Sequence, residues 1–293
     1  MDWSIDQRNV IVTGGTSGIG KAVATALAAE GARVTITSRS RERADAAALD
    51  IERTLDTHIE KLIVDFSDLE SVRNAATEYR TSHDDLAVLV NNAGVVMGST
   101  SRTVDGYETT FATNHLGPFL LTSHLLELLE TSAPSRIINT SSVAHTYAKD
   151  GIVFDDLNFD ERHYRFMEVY GHSKLANILH AHEINTRYGD KGISAAAVHP
   201  GIVRTGLGSG GTSWVVGLVE RVGGRWMKTP ENGADTIVWL ATKSEIDIGK
   251  GIYFEDRHVS KSTRHARDAD QALKLWDVSE RLTGLDAPER GES

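Results

Sequence analysis

Short β-rich apolar runs alternate with helix-patterned stretches along most of this chain, and few folds accept that order. Residues 9–13 form the first run, a glycine-rich turn follows at 14–20, and Ile19, Val23, Ala26 and Leu27 then recur at helical spacing. The alternation continues through RVTITS (33–38), a polar helical stretch from Arg41, IEKLIV (59–64), a helix from about Asp68 and LAVLVNNAG (86–94). Ser67 and Glu70 have the spacing of a capping box, which sets the start of that third helix. An amphipathic helix through Leu116, Leu120, Leu125 and Leu129 leads to RIINTSS (136–142), a helix carrying Tyr170, and ISAAAVHPG (193–201). Apolar strands separated by helices pair in parallel and are covered on both faces, so the expected fold class is α/β with a doubly wound parallel sheet. No repeat, low-complexity tract or linker interrupts the chain before residue 200, and one domain over 1–293 is expected. A charged helical tail from about 260 closes it, with ALKLWDVSERL (272–282) as an amphipathic helix and the last few residues disordered.

Charge and cysteine content narrow the function. Lys+Arg number 31 against 41 Asp+Glu, a formal net charge of -10. That balance opposes a phosphate backbone, so no nucleic-acid partner is expected. Without cysteine there is no disulfide framework, thiolate nucleophile or cysteine-ligated metal, and no spacing suits another metal site. No apolar run reaches 18 residues, so the reading is a cytoplasmic protein without a membrane span.

Two local features carry chemistry. Between a first strand and a first helix, glycine lets the backbone turn sharply, approach a pyrophosphate and aim helix N-terminal amides at its charge. Gly14, Gly18 and Gly20 meet that need, a tight turn without ligand being the alternative. Tyr170 and Lys174 lie one helical turn apart, which brings an ammonium near a phenol. Moving that phenol from its ordinary range to neutrality takes about 4 kcal/mol, and a unit charge at about 4 Å supplies as much at an effective dielectric near 20. The same spacing is common on solvated helix faces. Ser142 supplies context: it closes the preceding strand and so puts a hydroxyl at the carboxyl edge of the sheet, where such folds bind ligands.

The ordered set T-G-x-x-x-G-x-G (13–20), NNAG (91–94), Ser142, Tyr170 with Lys174 and HPGIVRT (199–205) resembles the short-chain dehydrogenase/reductase family over roughly residues 8–255. Its glycine spacing is that of the simple dehydrogenase branch, not the extended epimerase-like one. TNHLGPFLLT (113–122), SSVAH (141–145) and the long interval from Ser142 to Tyr170 resemble the retinol-dehydrogenase-like group. The resemblance implies a Rossmann fold and an oxidoreductase acting on CH–OH donors with NAD(P). It implies that Ser142, matching the family's serine better than Ser141, polarises the substrate oxygen and that Tyr170 is the general acid/base. Lys174 would lower the tyrosine pKa and grip the ribose hydroxyls, and Asn114 would hold a water relay to the lysine. Cofactor contacts are implied for Gly14, Thr16, Ser17, Gly18, Ile19 and Gly20, for Ser38 and Arg39, and for Asp65 on the adenine amino group with Phe66 beside it. Asn91, Ala93 and Gly94 would line the adenine ribose; Pro200, Gly201, Val203 and Thr205 would hold the nicotinamide end.

NAD enzymes place a carboxylate at the end of the second strand, where this chain has Ser38 followed by Arg39, with Arg41 and Arg43 close by. A guanidinium forks onto a 2′-phosphate, so NADP (NADPH) is expected in preference to NAD. Pairing of these arginines with Glu42 or Asp45 is the competing reading, and Ser17 stands where many NADP members carry a second basic residue. The apolar segment at about 206–228, with Trp214 and Trp226, is expected to form a substrate lid, packing as an extra helix or subunit contact being the alternative. The partner is then a small hydrophobic carbonyl or alcohol. A homodimer or homotetramer follows from the resemblance alone. Asp155, Asp156, Asp160 and Glu161 read as a solvated loop rather than a cation site, His172 as pointing away from the pair, and His199 as a strand-end residue. An NADP-binding sensor or scaffold without turnover is the alternative function, and an interaction protein docking through 207–227 a further one.

Overall fold

The computed structural model describes residues 3–203, 227–244 and 251–285. Thr205, nearly all of the expected lid and the last eight residues lie outside the described residues. Strands β1 (Asn9–Val12), β2 (Arg33–Ser38), β3 (Ile59–Ile63), β4 (Val88–Asn91), β5 (Ser135–Thr140), β6 (Ile193–Val198), β7 (Tyr253–Glu255) and β8 (His258–Val259) form one sheet. Their order is β3-β2-β1-β4-β5-β6-β7-β8, parallel except for the last pair. The helices are α1 (Gly18–Ala29), α2 (Arg41–Leu55), α3 (Leu69–Ser82), α4 (Thr109–Phe111), α5 (Gly117–Thr131), α6 (Phe166–Tyr188), α7 (Pro230–Thr242) and α8 (Ala269–Thr283).

Successive strand residues feed opposite cores, which is why the strands read as unbroken apolar runs. Val10 and Val12 join one core while Ile11 joins the other; Val88 and Val90 separate from Leu89 in the same way. The first core is completed by Val23 and Leu27 of α1, Ile51 of α2 and Ile237 and Leu240 of α7. Val72 of α3, Leu120 of α5, Ile178 of α6 and Trp276 of α8 complete the second. The sheet is therefore doubly wound, as expected. Among the described residues no helix is long and apolar enough to cross a membrane.

Three local expectations change. The cap of α3 is Asp68, whose carboxylate accepts the N–H groups of Glu70 (2.9 Å) and Ser71 (3.2 Å), while the Ser67 hydroxyl donates to Asp65. The helix expected around Leu116 to Leu129 is not one regular helix: α4 passes through a π-turn, Ala112–Leu116, before α5 begins. The acidic loop is not simply solvated. Asp156 is 7% exposed and accepts the backbone N–H groups of Asp160 (2.7 Å) and Arg162 (3.1 Å) and the Arg162 Nε (3.0 Å), so it organises the loop from inside.

Candidate active site

Strand order reverses between β1 and β4, which opens a crevice at the carboxyl ends of the strands. A cleft of about 750 Å³ lies there. It takes in Arg39 and Arg43 beyond β2 and Ser142, Tyr170 and Lys174 beyond β5. With β1 and β4 between them, β2 and β5 are separated by about 14 Å, three strand spacings.

The turn after β1 is stitched to the turn after β4. The Thr13 hydroxyl accepts the N–H groups of Asn92 (2.8 Å) and Ala93 (2.9 Å), and its carbonyl accepts Asn92 Nδ2 (2.9 Å). Gly14 (φ +67°) and Gly18 (φ +53°) take the left-handed conformation that glycine adopts without strain. A Cβ on Gly20 would meet the Gly14 carbonyl oxygen at 2.3 Å, so α1 can leave this turn only with glycine there. Ser17, the N-cap of α1, makes no side-chain cap hydrogen bond, whereas α2, α3, α7 and α8 are capped by Ser40, Asp68, Thr229 and Asp268. An uncapped helix N-terminus at the end of a glycine turn suits an anion. Thr16, Ile19, Ser38, Phe66, Ala93 and Gly94 line the cleft with these turn residues.

Arg39 and Arg43 both reach the cleft, and Arg41 does not line it. The acids that could have neutralised them are engaged elsewhere. Asp45 pairs with Lys61 (2.8 Å), Glu42 accepts from the Ser40 hydroxyl (2.6 Å) and Asp50 pairs with Lys21 (2.5 Å). Among the described residues neither Arg39 nor Arg43 has an ion-pair partner.

At the other end Ser142 starts a 3₁₀ turn, Val143–Tyr147, with its Oγ accepting the Ala144 N–H (3.1 Å). Burial pushes the Tyr170 phenol up to about 12, offset only in part by the neighbouring Ser142 side chain. Lys174 is 3% exposed; its Nζ donates to the Thr140 carbonyl (2.9 Å) and lies 5.4 Å from the centroid of the Tyr170 ring. Burial pulls the ammonium down to about 8. The expected depression of Tyr170 by Lys174 is thus not produced by the protein's own groups. The cation addresses a carbonyl, and burial decides the state of the phenol.

Other site residues are placed differently from expectation. Asn114 sits in the π-turn with both amide hydrogens used: Oδ1 accepts the Val95 N–H (2.7 Å), and Nδ2 donates to the Val95 carbonyl (2.9 Å) and Ser173 Oγ (3.0 Å). It clamps the loop after β4 to α6, close to Gly94 and Lys174. Asn91 does not line the cleft; its Nδ2 donates to Thr122 (3.1 Å) and Asn139 (3.0 Å). Strand alternation sends that side chain to the helix-covered face, and Asn92 lines the cleft instead. Asp65 also stays out, its Oδ1 accepting the N–H (2.9 Å) and hydroxyl (2.6 Å) of Ser67. Pro200, Gly201 and Val203 do line the cleft. His172 packs its ring on Phe159 away from the cleft, and burial lowers it to about 4; His199 follows β6 as expected.

Residues 8–154 match the model of the short chain dehydrogenase family. Human retinol dehydrogenase 13 is 38% identical over 290 residues, covering 97% of this chain and 87% of that protein. The chain belongs to the short-chain dehydrogenase/reductase family. Two crystal structures superpose on it: an uncharacterised protein from Mycobacterium paratuberculosis (TM-score 0.74, 31% identity, 97% of this chain and 98% of that one) and a short chain dehydrogenase from Burkholderia cenocepacia in complex with NADP (TM-score 0.67, 25% identity, 86% and 97%). Membership makes this retinol-dehydrogenase-like chain an oxidoreductase acting on CH–OH donors with a nicotinamide cofactor. Sequence reasoning missed the wall formed by Val95, Val96 and Met97. The apolar triplet directly after NNAG was the signal for it.

Proposed function

We propose that this dehydrogenase binds NADP and interconverts a hydrophobic aldehyde or ketone and its alcohol, with Tyr170 as general acid/base. The observation that carries the reading is one cleft shared by Ser142, Tyr170 and Lys174 with two guanidinium groups, Arg39 and Arg43, that lack acid partners among the described residues. Those groups suit a 2′-phosphate, which a carboxylate at the end of β2 would repel. The glycine turn and the uncapped start of α1 suit a pyrophosphate, and Pro200, Gly201 and Val203 the nicotinamide end. When bound, the nicotinamide supplies or accepts hydride.

For carbonyl reduction, the Ser142 hydroxyl holds the substrate oxygen and Tyr170, protonated throughout the neutral range, gives that oxygen its proton. Oxidation asks Tyr170 to take the proton from the alcohol, and the nearby Lys174 ammonium favours the phenolate that this requires. Val95, Val96 and Met97 give the cleft an apolar wall, and Val143 and Ile202 are exposed beside Ser142 and Gly201, which supports a hydrophobic substrate. The name of the human relative, a retinol dehydrogenase, and the NADP in the Burkholderia structure point the same way. One domain completes the reading.

A spectrophotometric screen with NADPH and NADH against aldehydes, ketones and quinones tests it. Steady NADPH oxidation is expected, with Tyr170→Phe reducing turnover by about 10²-fold or more while NADPH still binds. A lower KM for NADH than for NADPH overturns the cofactor preference; tight NADPH binding with no turnover on any substrate favours the sensor instead.

A further inference from the structure

We propose that His145 is a positioning residue for this reaction: its imidazole fixes the main-chain carbonyl of Ser142 and ties it to the chain beyond β8. The inference rests on the reading of Ser142 as the group that holds the substrate oxygen. His145 is the third residue after Ser142 in the 3₁₀ turn, and its backbone N–H donates to the Ser142 carbonyl (3.0 Å). Its ring Nδ1 lies 2.7 Å from the same oxygen. A carbonyl only accepts, so Nδ1 carries the proton. Nε2 is then bare and accepts the Thr263 N–H (3.4 Å). An acceptor on one side and a donor on the other select a single neutral tautomer. Burial lowers the imidazole from its ordinary range, which keeps it neutral.

The ring is 1% exposed and meets Tyr253 of β7 edge-on, with centroids 4.9 Å apart. It therefore joins the exit of β5 to β7 and to the segment that follows β8. Ser142 needs such a brace. It is half-buried and shares the cleft with Tyr170, its Oγ accepts the Ala144 N–H, and the carbonyl that His145 holds fixes the backbone from which that Oγ projects. Displacing a reacting group by about 1 Å costs on the order of 10²-fold in rate.

His145→Phe keeps a ring against Tyr253 and removes the donor; His145→Asn puts an amide N–H near the place of Nδ1–H. With NADPH and the best carbonyl of the screen, His145→Phe is expected to lower kcat about tenfold or more and to change the KM for NADPH less than about twofold, and His145→Asn to recover most of the loss. In a Ser142→Ala background His145→Phe should cost nothing further, because the group it positions is gone. The same loss in that background, or a folded His145→Asn as slow as His145→Phe, overturns the proposal. Crystal structures of both variants read it without turnover: Ser142 displaced in His145→Phe and retained in His145→Asn supports it, and Ser142 undisplaced in both overturns it. An inactive wild-type protein overturns the reaction reading, and the position of Ser142 then still decides whether His145 holds it.

Discussion

Lys174 is an ammonium in a place that disfavours charge: it is 3% exposed, and its Nζ donates to the Thr140 carbonyl. Its folded value of about 8 lies below the ordinary 10.5, so between those pH values the unfolded chain holds a proton that the folded one has lost. Stability therefore rises with pH across that window, and at pH 7 the buried charge costs on the order of 3 kcal/mol. Thr140 also accepts from Asn177 Nδ2 (2.9 Å), so removing the lysine leaves its carbonyl paired. Lys174→Met should raise the unfolding free energy at pH 7 by about 1–3 kcal/mol, narrow that gain near pH 10 and abolish turnover. Denaturant curves at both pH values check this, and a variant less stable at both would contradict it. Tyr170 works in the opposite sense, since its phenol stays protonated to about 12. Carbonyl reduction should be flat from about pH 6 to 7, below the range where Lys174 titrates, while alcohol oxidation, which needs the phenolate, climbs across the same range.

Two helix starts show how an element depends on one position. A Cβ at Gly20 would meet the Gly14 carbonyl at 2.3 Å and Asn92 Nδ2 at 2.5 Å. Backbone cannot yield as a flexible side chain can, so Gly20→Ala must shift α1 away from the turn. NADPH affinity, read by fluorescence titration, should fall at least tenfold, and unchanged affinity would sink the cradle. At α3 the Ser67–Glu70 spacing pointed to Ser67 as the cap. Asp68 wins because it directly precedes Leu69 and its carboxylate reaches two N–H groups of the first turn. Asp68→Ala should cost about 1 kcal/mol and Ser67→Ala less than half as much, measured by urea unfolding. The π-turn that carries Asn114 had no such signal. The extra residue per turn is accommodated where Asn114 clamps Val95 and where His115 Nε2 meets Ser279 Oγ (2.9 Å) of α8.

Across the fold, the second core is closed by α8, which lies on α6 and α5. Trp276 is 3% exposed, stands edge-on to Phe119 (centroids 5.0 Å apart) and receives the Arg187 guanidinium over its ring at 4.7 Å. Trp276→Ala should cost about 3–5 kcal/mol in denaturant unfolding, since the helix cannot collapse into the space left between Phe119 and His180. A loss below about 1 kcal/mol would mean that α8 is an appendage rather than part of the core.

The strand and helix order, the doubly wound sheet, the glycine turn and the Ser142, Tyr170 and Lys174 set were readable from the chain, because each rests on local chemistry: apolar periodicity, glycine's access to positive φ, and residues one helical turn apart. What those residues face was not readable. Asn92 rather than Asn91 in the cleft, Asp65 turned back on Ser67, Arg39 and Arg43 without an acid partner among the described residues, and His145 braced on Ser142 all depend on partners brought together by folding. The same holds for the proton affinities of Tyr170 and Lys174. Spacing brings a cation to a phenol, but the depth at which the fold buries both decides which of them desolvation governs.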